Sequence, residues 1–166
     1  MDMLRNLLLT ITFIALLPAS ALAAPNIQGT YALISRDLPD GKKQLPPDVT
    51  GLATYTKHYR NFNVSWTGPD GKRVSIAYTA KYTLTPKVYQ EAPIYWMTNN
   101  LGADGVSYTV PANKGAENPV TVKGGQISFP IAGEPPVLVF TAKDLTATAK
   151  DAEGKMIFVD HWQKVE

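Results

Sequence analysis

His58 and His161 are the only imidazoles in the chain, and there is no cysteine. A three-histidine zinc site, a thiolate metal site, a disulfide and a cysteine nucleophile are therefore excluded. Asp160-His161 has the residue types of an acid/base pair, and His161 draws notice because an imidazole titrates near neutral pH. On a strand, however, successive side chains point to opposite faces, so these two are not expected to touch. Ser35, Ser65, Ser75, Ser107 and Ser128 lie in strand contexts without an obvious base nearby. Gly102-Ala103-Asp104-Gly105 offers one carboxylate, too few for a calcium loop. The sequence contains no Gly-x-Ser-x-Gly elbow, phosphate loop, His-Glu-x-x-His or dinucleotide fingerprint. No catalytic residue, cofactor or metal site is expected from it.

The informative group is aromatic. Phe62, Val64 and Trp66 alternate with Asn61, Asn63 and Ser65, and Arg60 extends the same alternation. If that face meets Tyr78 and Tyr82 of the next segment, one wall becomes aromatic, with phenol hydroxyls and a guanidinium. Arg60, Trp66, Tyr78, Tyr82, Trp96 and His161 are the candidate cavity-lining residues. An apolar wall with a few polar groups suits a small apolar or amphipathic ligand, with Arg60 placed for an anionic end. Such a stripe is also, and more often, ordinary core, so the two readings compete.

These residues must be positioned by strands. Val74, Ile76, Tyr78, Ala80, Tyr82 and Leu84 alternate with Arg73, Ser75, Ala77, Thr79, Lys81 and Thr83, which predicts a half-buried strand. Gly68-Pro69-Asp70-Gly71-Lys72 joins it to the preceding strand as a hairpin. The same Pro-Asp-Gly-Lys run occurs at 39–42, and Ala152-Glu153-Gly154-Lys155 separates strands at 145–151 and 156–164. Gly124-Gly125 marks a further two-residue hairpin between 120–123 and 126–129. Further strands are predicted at 29–36, 52–56, 94–99, 106–110 and 137–142, with one helical turn at 86–90 opened by Pro86. Many short strands joined by Gly and Pro turns predict an all-β antiparallel sandwich or barrel.

The chain has 166 residues, 45% of them hydrophobic, with 16 basic and 14 acidic side chains. That length predicts one folded domain, and a formal charge of +2 lacks the basic footprint of a nucleic-acid binder. Residues 1–23 read as a signal peptide: Arg5 in the head, an apolar run from Leu7 to Leu17, and Ala21-Leu22-Ala23 before the cleavage point. Eleven residues are too few to span a bilayer, which takes about 20. Cleavage after Ala23 predicts a periplasmic or secreted protein of residues 24–166 with no membrane span. Without disulfides, it must hold itself together by packing.

Three stretches resemble the lipocalin-like domain family. Gly29-Thr30-Tyr31-Ala32-Leu33-Ile34-Ser35 is similar to the family's opening Gly-Thr-Trp strand, with Tyr31 in place of Trp. Gly51-Leu52-Ala53-Thr54-Tyr55-Thr56 resembles its second block, and Leu145-Thr146-Ala147-Thr148 with His161-Trp162-Gln163-Lys164-Val165 resembles its closing hairpin. The resemblance implies an antiparallel up-and-down barrel of about 8–10 strands around an interior cavity, with no particular reaction. It also implies that Tyr31 closes one end of the barrel beneath a cation, Lys164 or Arg60. The expected function is binding of a small apolar or amphipathic molecule inside the barrel. A barrel cyclase or isomerase acting on such a ligand, and a ligand-free structural or interaction module of the cell envelope, are the alternatives.

Overall fold

The computed structural model describes residues 26–68, 70–100, 105–110, 115–131 and 133–166. The predicted signal peptide, residues 1–23, and most of the Gly102–Gly105 stretch lie outside the described residues. The described chain is all β and contains no helix. Its strands are β1 (Gly29–Asp37), β2 (Lys43–Gln44), β3 (Val49–Tyr55), β4 (Tyr59–Thr67), β5 (Arg73–Leu84), β6 (Val88–Asn100) and β7 (Gly105–Thr109). They continue with β8 (Glu117–Pro119), β9 (Thr121–Lys123), β10 (Gln126–Pro130), β11 (Pro136–Phe140), β12 (Asp144–Lys150) and β13 (Met156–Lys164). β2, β8 and β9 are fragments of two or three residues.

All pairings are antiparallel, in the order β7-β6-β5-β4-β3-β1-β13-β12-β11-β10-β9, and the sheet curls strongly into a half-barrel. β8 pairs with β6, and β9, one residue further along the chain, pairs with β10. The same segment thus pairs near both ends of the path, its two strands separated at Val120, whose N–H donates to Lys87 O at 2.9 Å.

The turns explain why the strands end where they do. In the two Pro-Asp-Gly-Lys turns, Leu38 N–H donates to Lys42 O at 2.8 Å and Gly68 N–H to Lys72 O at 2.8 Å. Gly41 and Gly71 take φ of 80° and 77°, a conformation that suits glycine. At the opposite end the turns start on threonine. Thr56, Thr85 and Thr141 each donate their N–H three residues on, to Tyr59, Val88 and Asp144, and accept that residue's N–H on Oγ1. The helical turn predicted at 86–90 is therefore absent. Thr85 closes a tight hairpin instead, and the chain is already extended at Val88, with Tyr89 fully buried in the core.

Three bulges alter the face that each strand presents. Register shifts fall at Ile34 in β1, Ile94 in β6 and Ile157 in β13, whose residues are 45%, 44% and 40% exposed. Pro93 beside Ile94 cannot donate to the ladder, which is why the long β6 bulges there. In β1 the inward side chains are Tyr31 and Leu33 before the bulge and Arg36 after it, while Ser35 is paired with the outward His161. One end of the interior is filled by edge-to-face and stacked rings of Tyr31, Tyr55, Phe140, Tyr82, Tyr89 and Phe129, with centroids 4.1–5.9 Å apart along the chain of contacts. Tyr31 donates its hydroxyl to Ile27 O at 3.0 Å, and Lys164 Nζ lies 5.9 Å from its ring centre. Lys164 is thus the cation over Tyr31, while Arg60 lies over Phe62 and Tyr78.

Candidate functional site

The inward faces of β4 and β5 follow from simple alternation. Phe62 pairs with Tyr78 across the ladder, and their ring centres are 5.4 Å apart. Trp96 of β6 packs edge-on against both, at 6.0 and 5.2 Å. Beside this group the concave side of the sheet encloses a cavity of about 240 Å³. Its walls are mostly apolar: Val64, Ile76, Leu138, Leu145 and Ala147 between the rings of Phe62 and Phe158. Trp66, Trp96 and Trp162 all line it, and they are the three tryptophans of the chain.

Two ionic groups face the same space. The first is Arg60, Glu91 and Glu134. Arg60 Nη1 donates to both oxygens of Glu91 at 3.1–3.2 Å and to Glu134 at 3.2 Å, and Nη2 donates to Glu134 at 3.2 Å. Tyr78 and Tyr89 donate their hydroxyls to Glu91 at 2.6 and 2.5 Å. A carboxylate that accepts from two phenols and a guanidinium is well compensated for its burial. Burial, with the negative charge of Glu91 adding to it, pushes both phenols well above the ordinary tyrosine range.

The second group is Arg36 and Asp160. Arg36 Nε and Nη2 bind the two carboxylate oxygens of Asp160 at 2.6 and 2.8 Å, a bidentate fork. The guanidinium is held between the rings of Phe158 and Trp66, 4.3 and 5.0 Å from their centres. Burial raises the Asp160 carboxyl above its usual range, with Arg36 pulling the other way. Arg36, Trp66 and Phe158 also line a second hollow on the far side, so they form a partition between it and the cavity.

The candidate residues divide as follows. Arg60, Trp66 and Trp96 line the cavity. Tyr78 abuts it through Phe62 and Trp96 and lines an adjoining hollow of about 340 Å³ with Glu91 and Glu134. Tyr82 lies in the aromatic core and donates to Thr56 O at 2.5 Å. His161 is not on the cavity wall; its side chain is 37% exposed, and Nε2 lies 2.7 Å from Asp37 Oδ2. Asp160 and His161 point to opposite sides of β13, as strand geometry requires.

Arg36, Glu91, Glu134 and Trp162 are the site residues that sequence reading missed. The bulge at Ile34 hides Arg36 from a period-two pattern. Glu91 follows Tyr89 at strand spacing, a weak signal. Glu134 lies in the β10–β11 connection, where nothing local marks its partner. Among the described residues, no three His, Asp or Glu side chains are grouped to hold a metal ion. In comparisons with known proteins, no family model matches the chain, and neither a curated protein nor a solved structure matches it.

Proposed function

We propose that the chain is an exported, lipocalin-like up-and-down barrel that binds a small apolar or amphipathic molecule in its interior. The observation that carries this reading is the cavity of about 240 Å³, walled by aliphatic and aromatic side chains and bordered by two buried ion pairs. Ligand sites are typically apolar hollows with a few fixed polar groups, and volumes of roughly 300–1,000 Å³ serve drug-sized molecules, so this one fits a smaller guest. Closure into a barrel is supported by the β8–β9 segment, which pairs with β6 through one part and with β10 through the other. In the exported form, residues 1–23 are removed and the protein works in the periplasm or outside the cell. An intact mass beginning near Ala24 in protein recovered from an exporting host is the expected result.

Because every tryptophan lines the cavity, tryptophan emission is a reporter of it. Titration with a small apolar compound should change the emission saturably, and native mass spectrometry of the protein purified from its own host should show reproducible extra mass. A protein of unliganded mass whose tryptophan emission is indifferent to every apolar probe would instead be an envelope module with a structural or interaction role. Turnover of a co-purified compound would make it an enzyme that acts by holding a reactive ligand in one conformation.

A further inference from the structure

One polar group on the cavity wall is left without work in the fold. Arg36 and Asp160 are forked together, Arg60 holds Glu134, and the Trp96 indole donates to Thr98 Oγ1. Tyr55 lines the same cavity and is only 3% exposed, yet its hydroxyl has no hydrogen-bond partner among the described residues. Its neighbours differ, since Tyr31 donates its hydroxyl to Ile27 O and Tyr82 to Thr56 O.

The Tyr55 oxygen is also reachable. Among the described residues, the buried side-chain atoms with neither a partner nor accessible surface are Gln44 Oε1, Arg60 Nε, Asn99 Oδ1 and Trp162 Nε1. An unpartnered oxygen outside that set keeps surface for a contact. Of the hollows described, Tyr55 borders this cavity alone. Arg36 Nη1 and Trp66 Nε1 are unpartnered too, but both residues stand in the partition and line the far hollow as well.

The ring is fixed edge-to-face against Tyr31, Phe140 and Tyr82, with centroids 5.2–6.2 Å away. Burial holds the phenol protonated far above the ordinary tyrosine range, with Glu91 and Glu134 adding to this and Arg60 opposing it. It therefore presents an O–H donor, and a buried donor left unpaired costs free energy that a guest's oxygen would recover. Tyr55 pairs with Arg60 at the start of β4, and Trp66 lies towards the other end of that strand.

We infer that the Tyr55 hydroxyl is the polar anchor of the cavity, donating to an oxygen at one end of an apolar guest whose hydrocarbon body extends towards Trp66 and Phe158. This inference rests on the cavity being a ligand site, and it adds to that site a residue whose role the strand pattern alone does not mark.

Acetophenone and α-methylstyrene share one shape and differ by an oxygen in place of a methylene carbon, so together they isolate the contact. Calorimetry of both on the wild type and on Tyr55→Phe closes a double-mutant cycle. The substitution should weaken acetophenone at least about fivefold and change α-methylstyrene less than about twofold. Its urea midpoint should match that of the wild type, because the lost hydroxyl has no protein partner. Tyr82→Phe, which removes a hydroxyl bonded to Thr56 O, should instead lower the midpoint and leave the preference between the probes unchanged. The infrared carbonyl stretch of acetophenone bound to the wild type should lie below its position in hexane, and Tyr55→Phe should return it towards that position. A bound carbonyl at the hexane position, or a preference between the probes that Tyr55→Phe leaves unchanged, would overturn the inference while leaving ligand binding intact. Failure of both probes to bind the folded wild-type protein would overturn the binding reading itself.

Discussion

Arg60 is the residue on which the interior depends most. It is buried, as is Glu91, while the Glu134 side chain is 15% exposed. Arg60→Ala would leave Glu91 as a buried charge held only by two phenols, and such breaks cost about 3–5 kcal/mol. Glu134→Gln leaves the Arg60–Glu91 contact in place and should cost about 1 kcal/mol or less. Urea unfolding midpoints test the order, and equal losses in the two variants would show that Glu91 has no privileged role. Tyr31 makes a different contribution, since its ring is part of the filled end and its hydroxyl has a backbone partner. Tyr31→Ala should cost about 3–5 kcal/mol, and an unchanged melting curve would remove Tyr31 from the end-closing role that the family resemblance implies. The burial of Tyr31 beneath a cation was anticipated only through the family resemblance, which left Lys164 and Arg60 open, and the structure places Lys164 over the ring. The role of Arg60 was half legible: alternation put it inside, but its partners lie 31 and 74 residues away.

At the scale of the element, the bulges matter more than the strands. The extra residue at Ile34 turns Arg36 inward to meet Asp160, while Asp37 turns out to meet His161. Ile34→Ala should cost little, within about 1 kcal/mol, because the side chain is largely exposed. Deleting Ile34 should also be tolerated, at a cost within about 2 kcal/mol, because Leu33 and Ser35 would then follow one another opposite Trp162 and His161 with Arg36 still facing Asp160. Chemical denaturation of the two variants decides it, and a loss above about 3 kcal/mol on deletion, the scale of a broken buried ion pair, would show that Arg36 no longer meets Asp160 once the extra residue is gone. Close approach constrains another element, β3. A Cβ at Gly51 would lie 2.8 Å from Asn63 O and 3.0 Å from the Trp162 ring. Gly51→Ala should therefore destabilise the fold by about 1–3 kcal/mol and shift tryptophan emission, since the ring it displaces lines the cavity. The glycine was visible in the sequence as part of a motif, but the indole that requires it comes from the last strand.

For the whole molecule, the buried tyrosines couple stability to alkaline pH. Burial raises Tyr31, Tyr55, Tyr78, Tyr82 and Tyr89, and Tyr82 is pushed up to about 12. A phenol whose folded pKa exceeds its unfolded value of about 10 keeps its proton in the native state after the unfolded chain has lost it. The native state then binds more protons, so stability falls as pH rises above about 10. The phenolate absorption of these five residues should appear in one step with loss of the near-ultraviolet circular dichroism. Gradual ionisation with the fold intact would show that the aromatic end is open to solvent. The stability present below pH 10 owes nothing to disulfides, in a chain without cysteine.

The amino-acid sequence by itself determined the local grammar: alternating strands, the Pro-Asp-Gly-Lys and Gly-Gly turns, and the placing of Arg60 with Phe62, Val64 and Trp66 on one face. These follow from backbone periodicity and from the few residue types that tight turns accept, both of which act over a handful of positions. Tertiary structure alone decided that Thr85 closes a hairpin where Pro86 favoured a helical turn, that Arg36 faces inward, and that Glu91 and Glu134 occupy the guanidinium of Arg60. The physical reason is separation along the chain. Arg36 and Asp160 are 124 residues apart, and only the pairing of β1 with β13, with a bulge to set the parity, brings these two charges opposite each other.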